Sequence, residues 1–176
     1  MLAFDLETTG LDPEVHIITC ACAYDPDAGI AEAFTFAREG EAEEFMALLD
    51  RADRLCAFNG AAFDLPFIAR TLPGATPARV RAWRLKLHDV FVACKWGLGV
   101  TFSLQKLLEL NSLGGKTGSG KDAILLHEQG RTEELVAYCM NDTRVTHAVS
   151  SLDAILLPKT RGITLDCAGV FQPLRF

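Results

Sequence analysis

The stretch Ala3-Phe4-Asp5-Leu6-Glu7-Thr8-Thr9-Gly10 closes the apolar run that opens the chain. Side chains on a strand alternate between faces, so Asp5 and Glu7, two apart, project to the same side. Two carboxylates crowded at the rim of a buried strand repel each other unless a cation lies between them. Magnesium and manganese prefer oxygen ligands, so a hard divalent cation answers that need. Taken alone, the motif also allows a solvated strand end carrying two surface acids.

Two later segments bear on that choice. Arg54-Leu55-Cys56-Ala57-Phe58 reads as a short buried strand, and Asn59-Gly60-Ala61-Ala62-Phe63-Asp64 follows it. Asn59-Gly60 is a turn signal, and a helix is expected to begin near Asp64. Asp64 is then either a functional acid or a helix cap favoured by the macrodipole. The second segment, Leu135-Val136-Ala137-Tyr138-Cys139-Met140-Asn141-Asp142, sits in a helical pattern from Thr132 to Leu157. Residues four apart share a helix face, so Tyr138 and Asp142 point the same way. By themselves they read as a hydrogen-bonded pair on a half-buried face.

As a set, these residues resemble the DEDD superfamily of 3′–5′ exonucleases, the DnaQ-like branch of the ribonuclease H-like fold. Asp5, Glu7, Thr8, Thr9 and Gly10 match its first motif, Asp-x-Glu followed by Thr and Gly. Asn59, Phe63 and Asp64 match the second, and Tyr138 with Asp142 match the Tyr-x3-Asp of the tyrosine subclass, DEDDy. The histidine subclass would need His where Ala137 stands, and His147 lies on the wrong side of Asp142. The resemblance spans Asp5 to Asp142, with the motifs in family order.

It implies that Asp5, Glu7, Asp64 and Asp142 hold two divalent cations, Mg2+ or Mn2+, and that Tyr138 orients the attacking water. It implies that the backbone around Thr8, Thr9 and Gly10 and the side chain of Leu11 grip a terminal nucleotide flanked by Asn59 and Phe63. The expected activity is release of nucleoside 5′-monophosphates from the 3′ end of single-stranded nucleic acid. DNA is put ahead of RNA, although the family degrades both. Rival classes are a ribonuclease H-like endonuclease, which has no need of Tyr138, and a nucleic-acid-binding module without turnover, which has no need of four acids.

Composition sets the frame. The 176 residues, 49% hydrophobic with a mean hydropathy of +0.18, fit one domain with a sizeable core. No apolar run reaches membrane-spanning length, so no membrane association is expected. The N-terminus lacks the basic start of a secretory signal. Six cysteines are scattered without a Cys-x-x-Cys pair, which argues against zinc and for a reduced, intracellular compartment. A net charge of −6 is unusual for a nucleic-acid binder and predicts weak, unsteered substrate binding. One basic stretch, Arg79, Arg81, Arg84 and Lys86 around Trp83, is open to two readings: a nucleic-acid contact, or an exposed loop or edge strand.

The element pattern predicts strands at the N-terminus, at Val15–Tyr24 and at Ala31–Phe36, joined by the turn Asp25–Gly29. A helix over Glu41–Ala52, the strand before Asn59, and a strand near Leu85–His88 follow. Asp89 is placed as the cap of a helix over Val90–Trp96, and Ser103–Leu110 as a further amphipathic helix. Antiparallel strands followed by parallel ones with covering helices amount to an α/β ribonuclease H-like layout, a mixed five-stranded sheet flanked by helices.

Gly115–Asp122 nearly spells a nucleotide-binding P-loop, but Asp122 replaces the hydroxyl that would ligate magnesium. A loop with Asp122 capping the next helix is expected instead, leaving Lys116 and Lys121 able to touch substrate phosphates. Residues 158–176 form a tail after Pro158. Gln172-Pro173-Leu174-Arg175-Phe176 has the shape of sliding-clamp peptides, so a clamp or polymerase partner is one reading. The other, preferred one has Leu165, Val170, Phe171 and Phe176 fold back onto the protein.

Overall fold

The computed structural model describes residues 1–115, 118, 120–158, 163–166 and 171–173. The opening strand β1, Leu2–Thr8, runs antiparallel to β2, Ile18–Asp25, which pairs with β3, Ile30–Phe34. Helix α1, Glu41–Arg51, returns the chain to β4, Leu55–Ala57, parallel to β1. Helices α2, Asp64–Thr71, and α3, Pro77–Leu85, precede β5, Leu87–Asp89, parallel to β4. The five strands lie in the order β3-β2-β1-β4-β5. This is the expected mixed α/β sheet of ribonuclease H-like type.

Beyond it come α4, Val90–Leu98, α5, Leu104–Leu110, α6, Gly120–Glu128, and α7, Thr132–Ser150. A small antiparallel sheet follows, with β6, Ala154–Leu156, β7, Ile163–Asp166, and β8, Phe171–Pro173.

The alternation of β1 sorts its side chains between two layers. Phe4 and Leu6 face a core with Phe45, Leu49, Phe67 and Trp83 from α1, α2 and α3. Asp5 pairs with Cys22 and Glu7 with Cys20 across the β1–β2 ladder. Directly opposed residues of an antiparallel pair share a face, and on this face Cys20 and Cys22 pack against Leu135, Tyr138 and Cys139 of α7. A third apolar cluster joins α4, α5, the end of α7 and β6 through Val90, Leu107, Val149 and Ile155.

Four expectations are corrected. The second strand starts at Ile18, not Val15, because Asp12 turns the chain: Val15 and His16 amides donate to its carbonyl, and Glu14 to its side chain. The stretch around Trp83 is helix α3, neither loop nor edge strand; Thr76 caps it by accepting from the Arg79 amide, and Pro77 occupies its first turn. The long helix ends at Ser150 rather than Leu157, and Ala154–Leu156 is strand. Asp122 lies inside the first turn of α6, which starts at Gly120, so it is not a residue preceding the helix.

Lys116 lies outside the described residues. In the tail, Gln172 and Pro173 pair with Thr164 and Ile163 in β8, so the start of the clamp-like peptide is strand and not a free end; 174–176 lie outside the described residues, as do Cys167 and Val170. No helix among the described residues is long and apolar enough to cross a membrane.

Candidate active site

The pairing of β1 with β4 stops at Ala3 and Cys56, while its ladder with β2 continues to Thr8. A crevice therefore opens at the carboxyl ends of β1 and β4, the kind of place where open α/β sheets bind ligands. Asp64 fills part of it. The backbone amide of Leu6, which lies between Asp5 and Glu7, is close enough to its carboxylate to favour the ionised form. Asp64 is only 2% exposed, and its Oδ1 has no hydrogen-bond partner among the described residues. Burial, then the charge of Asp89, pushes its pKa up to about 7. Helix α2 begins at Asp64 itself with Phe63 as the preceding residue and no side-chain cap bond, so the cap reading does not describe it.

From the other side, α7 brings Tyr138, Cys139 and Asp142. Carboxylate oxygens of Asp5 and Glu7 and the Cys139 sulfur lie within 4.8 Å of one another; Asp64 and Asp142 are not part of that tight group. Tyr138 is buried, one helical turn ahead of the buried Asp142. Its phenol is pushed well above the ordinary range by burial first, then by the charges of Asp142, Glu7 and Asp5. That phenol therefore senses three of the four acids named from the sequence. His147 sits elsewhere, edge-on to Tyr24 at 5.4 Å between ring centroids.

Cys139 was not singled out by its sequence position. Its thiol is 3.5 Å from the Asp5 carbonyl, to which it donates, and burial holds it well above its ordinary pKa. A protonated, soft sulfur is a poor partner for a hard cation and a good brace for Asp5. The donor set thus reduces to carboxylate oxygens, and a buried acid with an unanswered oxygen fits magnesium or manganese. Cys139 lies more than 130 residues from Asp5, and no local pattern could have linked them.

Asp89 is the second positioning residue. It caps α4 by accepting from Val92 and also accepts from the amides of Asn59 and Ala61, at 2.9 to 3.0 Å. That fixes the turn in which Asn59 adopts φ 67°, just ahead of Asp64. The capping role was legible beforehand; the grip on the Asn59 turn was not.

The remaining predicted residues divide. Thr8, Gly10, Leu11 and Phe63 line a cavity of about 510 Å³ together with Leu6, Glu7, Gly120, Lys121 and Ile124. Leu11 is 82% exposed at its edge, and Phe63 is half-buried against Phe67 at 4.9 Å. Thr9 and Asn59 are not among the lining residues. The Thr8 hydroxyl donates to the Gly10 carbonyl at 2.6 Å, and the Thr9 hydroxyl accepts from the Ile17 amide at 3.1 Å. Both hydroxyls thus serve the loop itself. A Cβ at Gly10 would stand 2.4 Å from the His16 ring, so the loop closes only without a side chain there.

The basic stretch is not part of this site. Arg79 closes on Glu43 and Asp50, Trp83 is fully buried, and Lys86 donates to the carbonyls of Asp50 and Ala52.

The sequence matches the RNase_H superfamily over residues 2–152. No curated protein matches it. Among solved structures, it resembles the family B DNA polymerase from the hyperthermophilic archaeon Pyrobaculum calidifontis, with TM-score 0.61 and 16% identity over 85% of this chain and 24% of that one. A structure described as the apo form of a nuclease gives TM-score 0.54 and 19% identity over 84% and 68% of the two chains. Brucella melitensis NrnC with bound Mg2+ gives TM-score 0.49 and 20% identity over 84% and 70%. The chain spans about a quarter of the polymerase chain's length, and at these identities the likeness is one of fold.

Proposed function

This chain belongs to the RNase_H superfamily, and on that premise we propose that it is a metal-dependent 3′–5′ exonuclease of the tyrosine DEDD subclass, with residues 1–176 acting as one domain. Its substrate is single-stranded nucleic acid with a free 3′ end, DNA ahead of RNA. The observation that carries this reading is the packing of α7, with Tyr138, Cys139 and Asp142, against the face of β1 that bears Asp5 and Glu7, beside an apolar cavity wide enough for a nucleotide.

Asp5, Glu7, Asp64 and Asp142 would hold two divalent cations. When bound, such a pair supplies an acidified water and stabilises the departing 3′ oxygen. Tyr138 keeps its proton, since burial and three carboxylates oppose its loss, so it orients water by hydrogen bond and takes no part as a general base. Cys139 fixes Asp5 through its carbonyl, and Asp89 fixes the turn that leads to Asp64. Leu11, Phe63 and Ile124 give a terminal base an apolar seat, with Thr8 and Gly10 supplying the backbone around it.

The test is digestion of 5′-labelled single-stranded DNA and RNA with magnesium, with manganese and with chelator. A ladder shortening from the 3′ end, only with metal, is expected. Internal cleavage of circular single-stranded DNA, which has no 3′ end, would replace this reading with the endonuclease.

A further inference from the structure

The cavity beside Glu7 takes one wall from helix α6, through Gly120, Lys121 and Ile124. Its apolar lining suits a base, but a nucleic-acid end also brings backbone phosphates toward a rim of carboxylates. Lys121 is the one cation among the described lining residues. It is exposed and makes no ion pair among the described residues, whereas Arg38, Arg70, Arg79, Lys106 and Arg131 each close on a carboxylate. In the other cationic stretch Arg79 and Lys86 are held against α1, and none of its residues lines this cavity. Gly118, two residues before α6, also lies near Tyr138: a Cβ on it would stand 3.2 Å from the Tyr138 ring.

We propose that Lys121 is the substrate-anchoring residue of this cavity, its ammonium pairing with a backbone phosphate of the single strand whose 3′-terminal base lies against Leu11 and Ile124. The proposal rests on the nuclease reading above. An ammonium on a flexible stem is a movable point charge, suited to a phosphate that advances after each cut. It adds affinity and salt dependence, and takes no part in bond breaking.

The test compares the wild-type protein with Lys121→Gln and Lys121→Arg, replacements at an exposed position that leave the core untouched. A fluorescent oligothymidylate with hydrolysis-resistant phosphorothioate linkages is titrated by anisotropy over a range of salt concentrations. Lys121→Gln should weaken binding on the order of fivefold, the upper worth of an exposed ion pair. The slope of log affinity against log salt should become shallower by about 0.7, the value for one single-strand phosphate contact. Lys121→Arg should retain most of both. Equal affinity and equal slope for wild type and Lys121→Gln overturn the anchor and leave the nuclease reading standing. A wild-type protein that neither binds the probe nor hydrolyses an unmodified strand overturns the nuclease reading, and the anchor with it.

Discussion

Acidic side chains crowd at two places in this molecule, and their surroundings act on them in opposite directions. Between α1 and α3, Asp50 approaches Arg79 at 2.6 Å and accepts from the Trp83 indole at 2.7 Å, while Glu43 meets Arg79 at 2.8 Å. Burial alone would raise Asp50, but the bonds from Arg79 and Trp83 outweigh it and hold it below its ordinary value. Hydrogen bonding to Arg79 does the same for Glu43. At the carboxyl end of β1, burial and the neighbouring Asp89 raise Asp64, which has no cationic partner among the described residues. The residue types are alike; whether the chain provides a cation sets the sign. One cluster ties two helices together, and in the other Asp64 is left without a cation among the described residues.

The largest expected effect comes from Asp142→Asn. Turnover should fall on the order of 10³-fold, the scale of losing several kcal/mol of transition-state charge stabilisation. The melting midpoint of the metal-free protein should not drop, because the change removes charge among like charges without removing volume. Single-turnover hydrolysis and calorimetry check the two halves. A large fall in the metal-free midpoint would mean that this cluster also holds the fold together, and the contrast would collapse.

Asp50→Ala is the converse. It should leave hydrolysis near the wild-type rate while costing about 1–3 kcal/mol in urea unfolding, chiefly from the buried Trp83 N–H left without its acceptor. The half-exposed Arg79 pair adds little to that figure. Lost activity at full stability would show that α3 serves the site after all.

A third effect is in pH. Asp64 has a folded value of about 7 against a reference of 3.8, so folding favours its neutral form. That contribution is present below the reference value and is lost as pH rises through the folded one. The metal-free midpoint should therefore decline from about pH 4 to about pH 7 and level off above, and magnesium should restore more of it at the upper end. A decline equally steep in Asp64→Asn, followed by fluorimetric melting, would assign the slope to another group.

Much of the site was legible because its motifs are short and local. Asp5 with Glu7 follows from strand alternation, and Tyr138 with Asp142 from helical spacing, so the structure needed only to bring these pieces together. The misreadings arose where two local codes competed. Around Trp83 the arginines suggested a charged loop, although Thr76-Pro77 already carried a helix start. Past Ser150 a short apolar run fitted helix and strand alike, and a turn at Ser151–Asp153 decided for strand. Cys139 and the Asn59 grip of Asp89 depend on partners brought in from distant elements, which spacing does not encode.

The ladder between β1 and β2 has a consequence for the kinds of mutation this protein can accept. Asp5 and Glu7 owe their facing to register alone, opposite Cys22 and Cys20. A single-residue insertion or deletion near Phe4 would leave composition and charge almost intact. It would turn both carboxylates toward the Phe45 and Phe67 layer and present Phe4 and Leu6 to α7. Point substitutions can therefore drift through this strand one at a time, whereas a length change inverts all of it at once. Viable changes of length belong in its loops, and the first strand has to keep its count.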